Sequence, residues 1–126
     1  MSTVLLVADD AWVRNDVEGS LADPTTKVVT VADPRSVVTE AVHLAPDLFL
    51  VDMQVGSMGG MAVTRALKEA FGSGVLRRVP IVLLLDRSAD EFLAKRAAAD
   101  AWVLKPFSAQ ALRAARDRAT LAAAAG

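Results

Sequence analysis

The sequence predicts an α/β fold in which helices cover both faces of a five-stranded, doubly wound parallel sheet. Two observations lead to this prediction: short apolar runs alternate with longer segments of helical spacing, and the runs are apolar at successive positions. Strands of that kind are buried on both faces, as in a parallel sheet that lies between two layers of helices. The predicted strands are residues 4–8, 27–31, 48–51, 81–85 and 101–104.

Five helices are predicted to connect and follow these strands. The second follows Asp33-Pro34, because aspartate is a favourable N-cap and proline suits the first helical turn. The fourth begins at Ser88, where Glu91 lies three positions later and completes a capping box. Right-handed crossovers between parallel strands then favour the strand order 2-1-3-4-5. The predicted helices are residues 12–21, 35–44, 60–71, 88–98 and about 108 to the C-terminal tail.

Length, charge and composition limit the classes of function. The 126 residues contain no interdomain linker, so we expect residues 1–126 to be one domain without an output domain. A net charge of −1 argues against nucleic-acid binding, and the short apolar runs argue against a membrane span. The chain has no cysteine and one histidine, which excludes a disulfide scaffold and His-rich zinc chemistry. These features lead us to expect a cytoplasmic protein.

Acidic residues and one lysine follow the apolar runs. Asp9 and Asp10 follow the first run, Asp52 the third, Asp86 the fourth and Lys105 the fifth. Ligands of an open parallel sheet bind at the carboxyl ends of its strands, so we expect these side chains to converge there. Clustered carboxylates favour Mg²⁺, and a lysine stabilises a phosphoryl group. The pattern indicates phosphoryl transfer to Asp52, which stands alone at the end of the central strand.

Five segments, in this order and at suitable intervals, give the chain a resemblance to a known family. They are VLLVADD (4–10), PDLFLVDM (46–53), MGGM (58–61), PIVLL (80–84) and DAWVLKPF (100–107). With these segments the chain resembles the response-regulator receiver domains of bacterial two-component signalling over essentially its whole length. The resemblance implies a flavodoxin-like receiver fold.

The resemblance also implies roles for individual residues. Asp52 accepts phosphate from a histidine kinase or a phosphotransfer protein, and Lys105 contacts the phosphoryl oxygens. The Lys105–Pro106 peptide is expected to be cis, a form that is affordable only before proline. The implied cofactor is Mg²⁺, held by Asp9, Asp10, Asp52 and the backbone carbonyl of Gln54.

Three positions depart from the usual pattern of such domains. Leu85 stands where receivers usually have Thr or Ser, and it has no hydroxyl to couple a phosphoryl group to the conformational switch. Asp86 stands where a small residue is usual, and its charge would repel a phosphoaspartate unless it turns to solvent or binds the metal. Trp102 occupies the aromatic switch position with a bulkier ring than Tyr or Phe.

The leading hypothesis is a stand-alone receiver, not itself an enzyme, that regulates a separate effector protein when Asp52 is phosphorylated. The fourth helix, fifth strand and fifth helix would form the regulated face, and a homodimer would also pair through it. The alternative is a pseudo-receiver, a phosphorylation-independent protein-interaction module, which Leu85 and Asp86 motivate. A third possibility is a phosphate shuttle in a relay. A haloacid-dehalogenase-type phosphatase is disfavoured, because the first strand is followed by Asp9-Asp10 and not by Asp-x-Asp.

Overall fold

The computed structural model describes residues 1–125, and this part of the chain forms an α/β fold with five strands and five α-helices. The strands are β1 (Ser2–Val7), β2 (Thr26–Val31), β3 (Leu48–Asp52), β4 (Ile81–Leu85) and β5 (Ala101–Leu104). The apolar runs therefore located all five strands: β4 and β5 have the predicted bounds, and the ends of the others shift by one or two residues.

All five strands are parallel and form one sheet in the order β2-β1-β3-β4-β5, which confirms the predicted fold class. Every residue of β3 and β4 is buried, because these strands lie inside the sheet under helices on both faces. In register, Asp52 of β3 lies beside Leu84 of β4. Because parallel strands all end at one edge, the residues that follow β1, β3, β4 and β5 meet there.

The helices are α1 (Ala11–Leu21), α2 (Val37–Leu44), α3 (Gly59–Gly72), α4 (Glu91–Arg96) and α5 (Ala109–Ala125). A short 3₁₀ helix, Pro34–Ser36, precedes α2, and Asp33 caps it as predicted, accepting a hydrogen bond from the Arg35 amide at 3.0 Å. The last helix is predicted to extend into the C-terminal tail. Residue 126 of that tail lies outside the described residues. Within residues 1–125, none of the helices combines the length and apolar composition that crossing a bilayer requires.

The fourth helix differs most from its prediction. Residues Ser88–Asp90 form a 3₁₀ helix, and no side chain in the described part of the chain caps it or α4, so the predicted capping box of Ser88 and Glu91 is wrong. Asp90 is buried instead and forms an ion pair with Arg87 at 3.0 Å. The helix stops at Arg96 rather than at Ala98, because Ala98 has a φ of 57°, which lies in the left-handed region.

The sheet separates two apolar cores. Successive side chains of a strand point to opposite faces, so each central strand contributes to both cores. On one face, side chains such as Leu5, Phe49 and Leu83 pack against α2, α3 and α4. On the other face, side chains such as Leu6 and Leu50 pack against α1 and α5. Burial of both faces holds the ends of the central strands in place, and this positions the residues that follow them.

Candidate functional site

The site lies at the carboxyl edge of the sheet, where Asp52 ends β3 and Lys105 follows β5. Asp52 is 2% exposed, and its Oδ1 lies 2.5 Å from Lys105 Nζ. The same oxygen accepts a hydrogen bond from the Gln54 backbone N at 3.0 Å. The Lys105 side chain is itself only 10% exposed, and the Lys105–Pro106 peptide is cis. The structure therefore brings together the predicted acceptor and the predicted phosphoryl contact as a buried ion pair.

Asp86 joins this pair. Its Oδ1 lies 3.1 Å from Lys105 Nζ, and its side chain is 35% exposed. The sequence left the direction of this carboxylate open between solvent and a metal ion. It turns instead toward the lysine, which therefore bonds to two carboxylates at once.

The charge state of Lys105 follows from this environment. Burial of the ammonium lowers the pKa of Lys105, but the hydrogen bond and charge of Asp52, followed by those of Asp86, outweigh the effect of burial. The pKa of Lys105 therefore lies above its ordinary value of 10.5. The lysine is a permanent cation at neutral pH, which is what contact with a phosphoryl group requires.

Asp9 and Asp10 follow β1 at the same edge, but backbone amides occupy one oxygen of each. Asp9 Oδ2 accepts from the Gly56 backbone N at 2.9 Å, which ties β1 to the loop after β3. Asp10 is the N-cap of α1, and its Oδ1 accepts from the Trp12 backbone N at 2.8 Å. Both acids are exposed, so their positions depend on these hydrogen bonds rather than on packing.

The oxygen donors at this edge suit a hard divalent cation such as Mg²⁺, which takes carboxylate and carbonyl ligands. Asp9, Asp10 and Asp52 each keep one carboxylate oxygen that accepts no hydrogen bond within residues 1–125. In the arrangement described for those residues, no three acidic, histidine or cysteine side chains group closely enough to hold one ion. The donor types therefore fit Mg²⁺, which needs only one or two carboxylates beside carbonyl and water oxygens.

Leu85 and Trp102 belong to the core rather than to the ion-pair cluster. Leu85 is fully buried and lies in the core beneath α2, α3 and α4, and Trp102 packs against the same core half-buried. The Leu85 carbonyl accepts a hydrogen bond from the Lys105 backbone N at 2.8 Å. Leu85 thus contributes its backbone to the placement of Lys105, and its side chain contributes apolar packing.

Gly60, at the start of α3, positions Asp52 in a way that sequence reasoning missed. A Cβ at this position would lie 2.8 Å from both the Asp52 carbonyl oxygen and Met53 Cα. The Gly60 backbone N also donates to the Met53 carbonyl at 3.1 Å. The segment MGGM was recognised only as a family motif, and its spacing gives no sign that a helix approaches the end of β3 so closely.

Gly60→Ala is expected to lower the free energy of unfolding by about 2 kcal/mol, because the added methyl group forces backbone apart. Gly19→Ala is the matched control, since Gly19 lies in α1 and, apart from its chain neighbours and the adjacent helix backbone, no atom lies within 4 Å of an added Cβ. That control should gain about 0.5 kcal/mol from its better helix propensity. Urea unfolding measures both variants, and equal stabilities of Gly60→Ala and wild type would contradict the close approach.

Comparisons with known proteins agree with this geometry. A family model described as the response regulator receiver domain matches residues 4–117. The DNA-binding response regulator MtrA of Mycobacterium tuberculosis is 32% identical over 120 residues, which cover 94% of this chain and 50% of MtrA. The chain thus spans about half the length of the curated relatives it matches.

Two solved structures show the same architecture. The chemotaxis protein CheY4 of Vibrio cholerae has a TM-score of 0.80 and 26% identity, covering 94% of this chain and 98% of that one. The receiver domain of the sensor histidine kinase PA1611 from Pseudomonas aeruginosa has a TM-score of 0.78 and 26% identity. The match covers 94% of this chain and 97% of that one. The chain therefore belongs to the response regulator receiver domain family, whose members are signalling modules of two-component systems.

Proposed function

We propose that this receiver domain accepts a phosphoryl group on Asp52 from a histidine kinase or phosphotransfer protein and then acts on a protein partner. The observation that carries this proposal is the buried pair of Asp52 and Lys105, whose charged atoms are 2.5 Å apart at the carboxyl edge of the sheet. The carboxyl edge of the sheet is where ligands of such folds bind, and the ammonium beside Asp52 compensates the charge that a phosphoryl group brings.

The proposed reaction is a displacement at phosphorus. An oxygen of the Asp52 carboxylate forms a bond to phosphorus while the bond from phosphorus to the donor imidazole nitrogen breaks. That nitrogen leaves with the electron pair of the broken bond, and the three phosphoryl oxygens stay on phosphorus. When acetyl phosphate is the donor, the bond to the acetyl oxygen breaks and acetate leaves. Lys105 is placed to stabilise the negative charge of the transferred oxygens.

We further propose that Mg²⁺ assists this step. The residues that would hold it are Asp9, Asp10, Asp52 and the backbone carbonyl of Gln54. When bound, Mg²⁺ neutralises charge on the phosphoryl oxygens. The PA1611 receiver domain, at 26% identity, is described with a magnesium ion coordinated in its active-site cleft, which supports the same cofactor for this chain.

The surface of α4, β5 and α5 is the proposed partner face. Phe92 of α4 is 63% exposed and Leu104 of β5 is 36% exposed, so this surface presents two large apolar side chains to a partner. Either a separate effector or a second copy of the chain can use this face. A net charge of −1 supports a protein partner rather than nucleic acid, although MtrA is itself named a DNA-binding regulator.

One observation favours a second candidate, a module that binds its partner whatever its phosphorylation state. Leu85 is fully buried and supplies no hydroxyl to the site, so the usual hydrogen bond between this position and a phosphoryl group cannot form. Such a module would bind the partner equally well with and without phosphate, whereas a switch would change its affinity.

The intact mass of the protein after incubation with acetyl phosphate tests the proposed function. We expect a phosphate adduct in the presence of Mg²⁺ and none when a chelator removes the ion. Circular dichroism in both solutions shows whether the chain stays folded. A folded protein that forms no adduct with acetyl phosphate or with a phosphorylated histidine kinase would contradict the proposal and favour the constitutive module.

A further inference from the structure

The ammonium of Lys105 forms ion pairs with two carboxylates, those of Asp52 and Asp86. Its Nζ lies 2.5 Å from Asp52 Oδ1 and 3.1 Å from Asp86 Oδ1. The two acids differ in exposure, since the side chain of Asp52 is 2% exposed and that of Asp86 is 35% exposed. The cluster carries a net charge of −1 when all three groups are ionised, before any phosphoryl group arrives.

Lys105 is the cation that Asp86 pairs with in the described residues 1–125. The neighbouring guanidinium of Arg87 is engaged by Asp90 at 3.0 Å, and the only ion pair of Asp86 within that range is the one with Lys105. Asp86 is also the first residue after β4, so its backbone is held by the end of a buried strand. In this structure its carboxylate lies at the site, in contact with Lys105.

A phosphoryl group on Asp52 changes the balance of charge around Lys105. The acyl phosphate carries about two negative charges in place of the single charge of the Asp52 carboxylate, so the cluster gains about one negative charge and three strong acceptor oxygens on the buried side of the lysine. The ammonium has three protons, and the one that it gives to Asp86 is not available to the phosphoryl oxygens. The charge of Asp86 also repels the phosphoryl group directly, an effect that partial exposure weakens but does not remove.

We propose that Asp86 is a positioning residue that competes with the phosphoryl group for Lys105 and thereby weakens phosphoryl binding at Asp52. This inference rests on the proposed function, since it concerns the same site. It assigns a role to a carboxylate that stands where receivers usually have a small residue. The site is thereby set to a lower affinity for phosphoryl groups than Asp52 and Lys105 alone would provide.

The test uses beryllofluoride, an anion that binds to a carboxylate in place of a phosphoryl group, together with Mg²⁺. Isothermal titration calorimetry of the full chain measures its affinity without a covalent step. We expect Asp86→Asn to bind about fivefold more tightly than wild type, because the variant removes a partly screened repulsion and frees Lys105. The difference should shrink as salt is added, a response that a purely structural effect of the substitution would not show.

Two variants serve as controls. Asp86→Glu keeps the charge and should bind within about twofold of wild type. Asp117→Asn removes the same charge from an exposed pair with Arg116 on α5, which makes no ion-pair contact with Lys105 within residues 1–125, and should bind as wild type does. Thermal unfolding of each variant shows that it is folded.

The outcomes separate the two proposals. Equal or weaker binding by Asp86→Asn than by wild type would overturn the inference about Asp86 and leave phosphorylation at Asp52 standing. If neither wild type nor any variant binds beryllofluoride, and wild type also forms no adduct with acetyl phosphate, the proposed function fails and the inference fails with it. Tighter binding by Asp86→Asn alone, with a salt-dependent difference, supports both.

Discussion

Asp52→Asn is expected to abolish the phosphate adduct, because an amide has no anionic oxygen with which to attack phosphorus. The substitution keeps the size and planarity of the side chain. Its carbonyl oxygen can still accept the hydrogen bond that the Gln54 backbone N donates to Asp52 at 3.0 Å. We therefore expect the variant to fold, and its intact mass after incubation with acetyl phosphate and Mg²⁺ to equal that of the untreated protein.

Asp86→Asn is the matched control for this experiment, because Asp86 is the other carboxylate that Lys105 contacts. This variant should still form the adduct. The two substitutions make the same chemical change on either side of one ammonium, so together they identify the acceptor. A wild-type yield of adduct in Asp52→Asn would contradict the assignment, and loss of the adduct only in Asp86→Asn would make Asp86 the acceptor.

Lys105→Met is expected to slow adduct formation by about a hundredfold, the usual cost of removing a preorganised donor from developing negative charge. Its ammonium is 2.5 Å from Asp52 Oδ1 and the side chain is only 10% exposed, so water cannot readily replace it. The initial rate of adduct formation by mass spectrometry measures the effect. Lys27→Met removes the same charge from an exposed position on β2 and should keep the wild-type rate. Equal rates of adduct formation for Lys105→Met and wild type would show that Lys105 does not contribute to the reaction.

The same lysine has a pH-dependent effect on stability. The pKa of Lys105 is raised above its ordinary 10.5 in the folded protein, so folding favours the charged form. The stabilisation is fully present below the pKa of the unfolded chain and is lost as the pH rises through the higher folded value. In urea unfolding, Lys105→Met should be about 2 kcal/mol less stable than wild type near neutral pH, the usual loss for a hydrogen bond between charged groups. That difference should narrow as the pH rises above the ordinary lysine pKa of 10.5, and a difference that grows with pH would contradict the ion pair as its source.

The sheet could be predicted because its strands are short runs of buried apolar residues. Burial of every residue of β3 and β4 produces the uninterrupted runs from which their positions follow. The right-handed crossovers of parallel strands limit the possible topologies to a few, and 2-1-3-4-5 is one of the two common orders of doubly wound sheets. The fourth helix was harder to predict. Its bounds depend on the ion pair of Arg87 with buried Asp90 and on the left-handed φ of Ala98, neither of which leaves a periodic signal.

The site likewise has features that the sequence predicts and features that depend on the packing of the folded chain. Asp52 ends β3 and Lys105 directly follows β5, so the sequence predicts that their side chains meet at the carboxyl edge of the parallel sheet. In the structure, Lys105 Nζ lies 2.5 Å from Asp52 Oδ1. The direction of Asp86 could not be predicted, because it depends on whether a lysine from the next strand along the sheet reaches it. The contact of Gly60 with the backbone of Asp52 likewise depends on how closely α3 packs on β3, which spacing does not encode.

The most direct test of the account is to locate the phosphate within the chain. Borohydride reduces an aspartyl phosphate to homoserine, which survives digestion and marks the modified position for tandem mass spectrometry. The protein is treated with acetyl phosphate and Mg²⁺, reduced and digested, and untreated protein is carried through the same steps. We predict homoserine in place of Asp52 and at no other aspartate. Homoserine in place of Asp86, Asp9 or Asp10, with Asp52 intact, would contradict the account.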